Sequence, residues 1–584
     1  MMLSAILLDF LKCVLVGAAV VGCLYFSIAK KVKGWFLLLI GVAPVIALYA
    51  INPIWRIYSD HGFMHLGFLY QIMNSGVPPN NIALGGERAL YAWGHHLVVA
   101  GFVQAFNLPP SIVFATSNVI ALLFALMVAY YIAKLFVPGQ MAGVFSAMLG
   151  LYGCSYLTRG PFVDLSRYVL GMVGYTYRVE EYRALQVAKF YNLNSNGIGI
   201  LFFALCLYLT LRILAKPTAL KTHFIGLCSS VVGLIFFYPY YLLDLLAVTF
   251  VMGLVTYGLM RRRSLKKLSQ IGAAMVVGIA IVSPYIYLVG SGKSESLHAF
   301  THNLGWVVGK TIITVLAIAP VALLLLLRRQ TMVPLIREKT LLFACLGSAI
   351  AVLAAMHILL EEPLGVEYKH LILCLFCVGI LGGLALQDIY LKSHLASFLL
   401  VVLFMVPFSY DWLGIADVDR WPHSDPLVEE GRYLVHQDPD EQSLHQWILA
   451  NTSNDALFVD THLNIPVFAR RQLYVGSTLR QAELRSADPP IDDGWRLTPQ
   501  QFLESQGYAQ DLIERRLSTV DKIYDESSRI DQTIVSELQL AKGRPIFVIA
   551  REANSDRKLA DSPDFAQVFR QADLTLYELR SDTP

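Results

Sequence analysis

Residues 55–96 read WRIYSDHGFMHLGFLYQIMNSGVPPNNIALGGERALYAWGHH. The stretch lies between two long apolar runs, and Gly and Pro break it too often for it to cross a bilayer itself. It has to be a loop at a membrane face. Asp60 stands beside His61, with His65 four residues on, and the stretch closes on Glu87, Arg88 and the pair His95–His96. Four of the chain's 14 histidines fall here.

Outward from this loop the chain is apolar. Of 584 residues, 56% are hydrophobic and 15% charged, against about 25% charged in ordinary soluble domains. Runs of about 20 apolar residues, the length of a bilayer crossing, recur as far as residue 410. The predicted fold class is a polytopic α-helical membrane protein with about 12 spans, at 5–29, 34–51, 109–136, 140–157, 197–215, 223–238, 241–260, 270–290, 308–327, 340–360, 369–387 and 394–410. The first run is longer than a signal-peptide core. Lys30, Lys31 and Lys33 follow it where a cleavage site would need small residues, so it reads as a retained helix. A formal charge of +3 gives no ground for a nucleic-acid partner. The eight cysteines fall in or beside apolar runs, with no zinc-type spacing to His, and read as small buried hydrophobes.

Orientation follows from Lys and Arg in the short loops. The clusters are Lys30/Lys31/Lys33, Lys134, Lys216/Lys221, Arg261–Arg263 with Lys266/Lys267, Arg328/Arg329 with Arg337/Lys339, and Lys392. All reach the cytoplasm only if 224–260 is a helical hairpin, with Tyr238-Pro239-Tyr240-Tyr241 as its breaker. Both termini then lie outside. So do the polar segments 52–108, 158–196, 290–303 and 361–370 and the tail. Residues 94–106 are apolar but too short to span, and are expected to lie along the interface as a helix. The chain thus divides into a transmembrane module, 1–410, with outer loops at 52–108 and 158–196, and an extracytoplasmic α/β domain, 411–584. In that domain helices are expected near 443–451, 498–520 and 528–541, and strands near 456–460, 472–475 and 545–550.

Three places carry residues suited to chemistry. Asp60, just past a span, can take a proton from an acceptor hydroxyl; the alternative is a helix cap at Ser59–Asp60. In the second outer loop Arg159 can pair with a phosphate, and Asn192, in the run Lys189-Phe190-Tyr191-Asn192-Leu193-Asn194-Ser195-Asn196, offers a bidentate amide to a sugar; the alternative is a solvated loop with internal ion pairs. Glu367-Tyr368-Lys369-His370 stands at the outer mouth of a span, where a cation can meet a phosphate arriving through the lipid; an interfacial Tyr/Lys anchor is the plainer reading. Asp244 is an acid inside an apolar run. A metal site from Asp60, His61, His65, His95 and His96 is hampered because adjacent histidines do not readily bind one ion.

These features together resemble the GT-C class of integral-membrane glycosyltransferases. The likeness rests on the acid Asp60 in a large first outer loop, the interfacial helix after it, and the number of spans. Tyr368-Lys369-His370 resembles the family's RY-type start of the helix near the donor phosphate. The tail residues Trp447 to Thr452, Asp455 to Asp460, Asn464, Pro466 and Arg470 to Gly476 resemble the extracytoplasmic tails of bacterial members. The chain departs from the family in its outside N-terminus and in lacking a second acid beside Asp60. The resemblance implies sugar transfer from a polyprenyl-phosphate donor to a glycan, lipid or protein acceptor at the outer face of a bacterial inner membrane. Asp60 would be the general base of an inverting attack. Lys369, His370 and Arg159 would hold the leaving phosphate, and His61, His65, Tyr368 and Asn192 would contact sugar or acceptor. A phosphate whose charge is paired leaves readily, so the chemistry needs no cofactor and leaves room for a divalent metal. The rival is a transporter or flippase of a lipid-linked saccharide. It would need polar groups along a path through the membrane and tends to carry an internal repeat, which is not seen.

Overall fold

A computed structural model describes residues 15, 34–51, 62–153, 187–191, 193–215, 221–290, 299–300, 304–361, 368–416, 439–460, 465–476, 500, 503–504, 506–525, 527–541 and 543–580. Asp60, His61, Arg159, Asn192 and the first expected span, 5–29, lie outside these residues. Two units form. The first is Met1–Pro53, Ala115–Ile286 and His298–Asp417; the second is Ile54–Phe114, Tyr287–Leu297 and Val418–Pro584.

The first unit is helical. Its helices are α1 (Gly34–Ile51), α4 (Pro110–Phe136), α5 (Gln140–Tyr152), α6 (Asn196–Ala215), α7 (Lys221–Phe237), α8 (Leu242–Met260), α9 (Leu265–Gly290), α10 (Leu304–Leu327), α11 (Arg329–Glu338), α12 (Thr340–Leu359), α13 (Tyr368–Lys392), α14 (His394–Phe404) and α15 (Val406–Ala416). Among the described residues seven helices are long and apolar enough to cross a membrane, and four shorter apolar helices accompany them. The break expected in 224–260 is a 3-10 turn, Pro239–Tyr241, with the proline in its first turn. Outward-facing Phe250, Val276 and Leu326 are exposed, as lipid-facing side chains would be.

Of the seven long apolar helices α13 is the most buried, with Leu371 to Ile380 all enclosed. It packs on α5, α10, α12 and α14. The approach to α5 is close because both helices carry small residues four apart, Gly379 and Gly383 against Ser146 and Gly150. A Cβ on Gly383 would stand 2.2 Å from the Ser146 nitrogen, and one on Gly379 would stand 2.5 Å from the Gly150 nitrogen. Ser146 Oγ donates to the Ile380 carbonyl at 2.8 Å, across the same seam.

The second unit holds α2 (Gly62–Ser75), α3 (Gly94–Phe106) and the tail. The tail's helices are α16 (Pro439–Asn451), α17 (Gln510–Tyr524), α18 (Gln532–Gln539) and α19 (Ala553–Ala560). Two short strands of the helical unit, β1 (Ala299–Phe300) and β2 (Leu360–Glu361), pair with each other. The tail supplies β3 (Leu457–Val459), β4 (Gln472–Leu473), β5 (Ile546–Ala550), β6 (Phe565–Gln571) and β7 (Leu574–Leu579). Their order is β4-β3-β5-β7-β6, parallel across β4, β3 and β5 and antiparallel beyond. Each helix and strand expected of the tail has a counterpart. The β6–β7 hairpin was not expected: its turn, Ala572-Asp573, lacks the usual Asn-Gly signal, and Ala572 takes a left-handed φ of 45°.

The first outer loop groups with the tail and not with the helical unit. Its residues Ile82 to Gly85 run along the free edge of β4. Leu473 N donates to Ile82 O (3.0 Å), Gly85 N to Leu473 O (2.8 Å) and Gly476 N to Ala83 O (2.8 Å). Arg516 donates to the carbonyls of Gly85 and Tyr474. Met64, Phe68, Ile82, Leu84 and Ala89 share one core with Leu457, Ile513, Val548 and Tyr577. An exposed strand edge is thereby covered and its backbone satisfied.

Substituting Gly383→Ala is expected to destabilise the helical unit by about 1–3 kcal/mol, the cost of overpacking against an unyielding backbone. Gly347→Ala, on α12 with open space around it, should be near neutral. Thermal unfolding in detergent compares them; equal midpoints for the two variants would refute the close seam.

Candidate functional site

In the helical unit the starts of three helices, α6, α8 and α13, are tied together by their own side chains. Tyr241, at the end of the 3-10 turn before α8, donates its hydroxyl to Asn196 Oδ1 at the head of α6 (2.5 Å). Asp244, in the first turn of α8, lies 2.6 Å from His370 Nδ1 in the first turn of α13. Lys189 donates to the Tyr368 hydroxyl (3.3 Å), and its ammonium sits 4.5 Å from the centre of that ring. The Lys369 ammonium lies 4.3 Å from the centre of Tyr240 and 5.5 Å from Tyr238.

Each contact has a local cause. Residues 188–191 form one helical turn, and a bend of buried residues, Leu193, Asn194 and Ser195, follows. Asn194 Oδ1 accepts from Asn196 N and so caps the entry to α6. Pro239 ends the helical hydrogen-bonding of α7; in the turn that follows, Tyr240 stays exposed and Tyr241 is buried. Asp244 is 0% exposed and His370 2%. With Asp244 as the carboxylate, its oxygen accepts and His370 Nδ1 donates. Lys189 is 3% exposed, a cation held in the interior by an aromatic face and a hydroxyl.

The arrangement suits an anion. The N-terminal ends of three helices bring the positive ends of their helix dipoles to this place. Two lysines stand at the same place, one buried and one half-buried. A phosphate would meet positive charge from backbone and side chains alike.

Of the residues expected to act, the structure brings Tyr368, Lys369 and His370 together here. His65 lies in the second unit, 1% exposed. Its Nδ1 is 2.8 Å from His96 Nε2, the two rings are parallel with centres 5.0 Å apart, and Phe68, Tyr91 and Phe114 lie around the pair. Burial pushes the His95 and His96 imidazoliums down to about 3. Among the described residues no group of three or more His, Cys, Asp or Glu is placed to hold a metal ion. The interfacial helix expected at 94–106 is α3, with Val98, Phe102 and Phe106 exposed as an apolar stripe and the two histidines inward.

Sequence reasoning passed over Lys189 and Tyr240. Lys189 stood at the head of the polar run quoted above, and Tyr240 inside the helix breaker. Both signals were present, but only the fold shows that they face one another's neighbours.

No family model matches the chain, and no curated protein does. Among solved structures it is similar to ArnT from Cupriavidus metallidurans bound to undecaprenyl phosphate, at a TM-score of 0.55 and 12% identity, over 94% of this chain and 98% of that one. It is similar also to ArnT from the same organism in the apo state, at a TM-score of 0.51 and 12% identity, over 91% of this chain and 97% of that one.

The buried histidines give the second unit a pH dependence. Their folded-state pKa lies below the unfolded value of 6.5, at about 3, so the stability they contribute is complete above pH 6.5. It is lost as pH falls below that value toward 3. Thermal midpoints of the full-length protein between pH 7.5 and 4.5 should fall more steeply for wild type than for His95→Gln/His96→Gln. Parallel curves would refute this.

Proposed function

The chain has the GT-C fold, and on that fold we propose a glycosyltransferase that moves a sugar from a polyprenyl-phosphate-linked donor to an acceptor at the extracytoplasmic membrane face. The observation that carries this reading is the convergence of three helix N-termini with Lys189 and Lys369 at one end of an apolar helical unit. A lipid phosphate is the anion that reaches such a place through the bilayer. That ArnT has been crystallised with undecaprenyl phosphate supports the choice of lipid.

In the proposed reaction Asp60 removes the proton from an acceptor hydroxyl as its oxygen attacks the anomeric carbon from the side opposite the phosphate. The new oxygen–carbon bond forms while the bond to the phosphate oxygen breaks, inverting the centre. The proton goes to Asp60, and polyprenyl phosphate leaves as an anion stabilised by Lys369, His370, Lys189 and Arg159. Tyr368, Asn192 and His61 are assigned to sugar or acceptor contacts. His65, enclosed with His96, orders the helix that begins two residues after Asp60. The acceptor is a glycan, a lipid or a protein, and the tail shares the extracytoplasmic side. The proposed location is a bacterial inner membrane.

The test is release of free polyprenyl phosphate by the purified protein in liposomes, offered a panel of undecaprenyl-phosphate sugars and an envelope extract as acceptor. Movement of the intact lipid-linked sugar across the bilayer without release would establish the flippase instead.

Asp60→Asn should lower turnover by about 10²–10⁴-fold, the typical loss of a general base. Donor binding should be retained. Asparagine caps a helix about as well as aspartate, so turnover within a few-fold of wild type at saturating substrates would assign Asp60 to capping and move the base to Asp164, Glu180 or Glu181.

Lys369→Ala should raise the dissociation constant for undecaprenyl phosphate by about ten-fold, of the order of one charge-assisted contact. The thermal midpoint without lipid should shift little, since the ammonium is half-exposed. Unchanged affinity would hand the phosphate to Lys189 or Arg159.

A further inference from the structure

We propose that Asp244 and Tyr240 are positioning residues that fix the direction of the Lys369 ammonium by clamping the start of α13 to the start of α8. The inference rests on the phosphate reading of this site. Residues 368, 369 and 370 are consecutive on a helix, so their side chains leave the axis about 100° apart. Tyr368 is held on one side by Lys189, and His370 on the other by Asp244 at 2.6 Å. With both neighbours fixed, the helix start cannot turn about its axis, and the direction of Lys369 follows. Tyr240 then seats the ammonium itself, 4.3 Å from its ring centre. At 37% exposure the Tyr240 ring fills no core; it meets the Tyr238 ring, 5.3 Å between centres, and offers its face to the ammonium.

Asp244 and Tyr240 come from opposite ends of one five-residue stretch, Tyr240-Tyr241-Leu242-Leu243-Asp244. One short piece of chain therefore sets both the rotation of the helix and the resting place of the cation. Neither residue has to touch the phosphate. A carboxylate placed against the lipid phosphate would repel it; against His370 it is hydrogen-bonded and still orients the site.

The experiment measures undecaprenyl phosphate affinity of the full-length protein in nanodiscs, with thermal midpoints taken without lipid. Asp244→Ala and Tyr240→Leu should each weaken binding about ten-fold, within the range of coupled neighbours. Asp244→Asn, which can still accept from Nδ1, and Tyr240→Phe, which keeps the ring, should stay within about three-fold on the same scale. The decisive comparison is with Lys369→Ala: Asp244→Ala/Lys369→Ala and Tyr240→Leu/Lys369→Ala should bind no worse than Lys369→Ala alone. Losses that add would overturn the proposal, because the residues would then act independently of Lys369. So would wild-type affinity in Tyr240→Leu, whose exposed site leaves folding undisturbed even where Asp244→Ala does not fold. Wild-type protein that binds no undecaprenyl phosphate would overturn the phosphate reading itself, and is told apart from both by needing no variant.

Discussion

A carboxylate enclosed by apolar helices has no solvent to return to, so its partner is a condition of folding. The contact between Asp244 and His370 meets that condition. It also decides which helix starts lie together. Through it α8 meets α13, and through Tyr241 and Asn196 α8 meets α6. The most enclosed of the long helices is thereby fixed at its start by a hydrogen-bonded contact and along its length by the absence of side chains at Gly379 and Gly383. The second device requires a near-perfect fit of backbone to backbone; the first joins two side chains far apart in the chain. Together they leave α13 little freedom, and the site is carried on its first turn.

The helical architecture was legible because bilayer length and hydropathy are long-range signals that no single residue controls. Eleven of the twelve expected spans correspond to described helices, and the hairpin break was legible from the flanking cations together with Pro239. The tail was legible in part. β3 and β5 are short continuous apolar runs whose character survives without context, whereas β6 alternates only loosely and turns at Ala572-Asp573 without the usual residues. At the site, Tyr368, Lys369 and His370 could be picked out because polar residues at the mouth of an apolar run are conspicuous. Asp244 drew suspicion for the same reason, yet its partner, 126 positions away, could not be read from spacing. Lys189 was lost in a loop crowded with other charges, where nothing local says which cation turns inward.

The histidines of the first outer loop show the limit from the other side. Their density looked like chemistry. In the structure His65, His95 and His96 are packed among Phe68, Tyr91 and Phe114, with His65 stacked on His96 and burial holding His95 and His96 neutral. Imidazole is flat, polar at its edge and compatible with aromatic neighbours, so a run of histidines can build a core as readily as a site. Burial decides between the two uses, and the sequence does not report burial at a single position.

The rung that Ile82 to Gly85 adds to β4 has a temporal side. Gly86 and its partner Gln472 are 386 residues apart. At ribosomal rates of about 5–20 residues per second, roughly 20–80 s separate their synthesis. Throughout that interval the loop has been made, the spanning helices are being inserted behind it, and the strand it will join does not exist. Its apolar residues Ile82, Ala83 and Leu84 must wait without their core. The second unit therefore cannot mature in the order in which it is translated, and its assembly is a late event governed by the arrival of the C-terminal third of the chain.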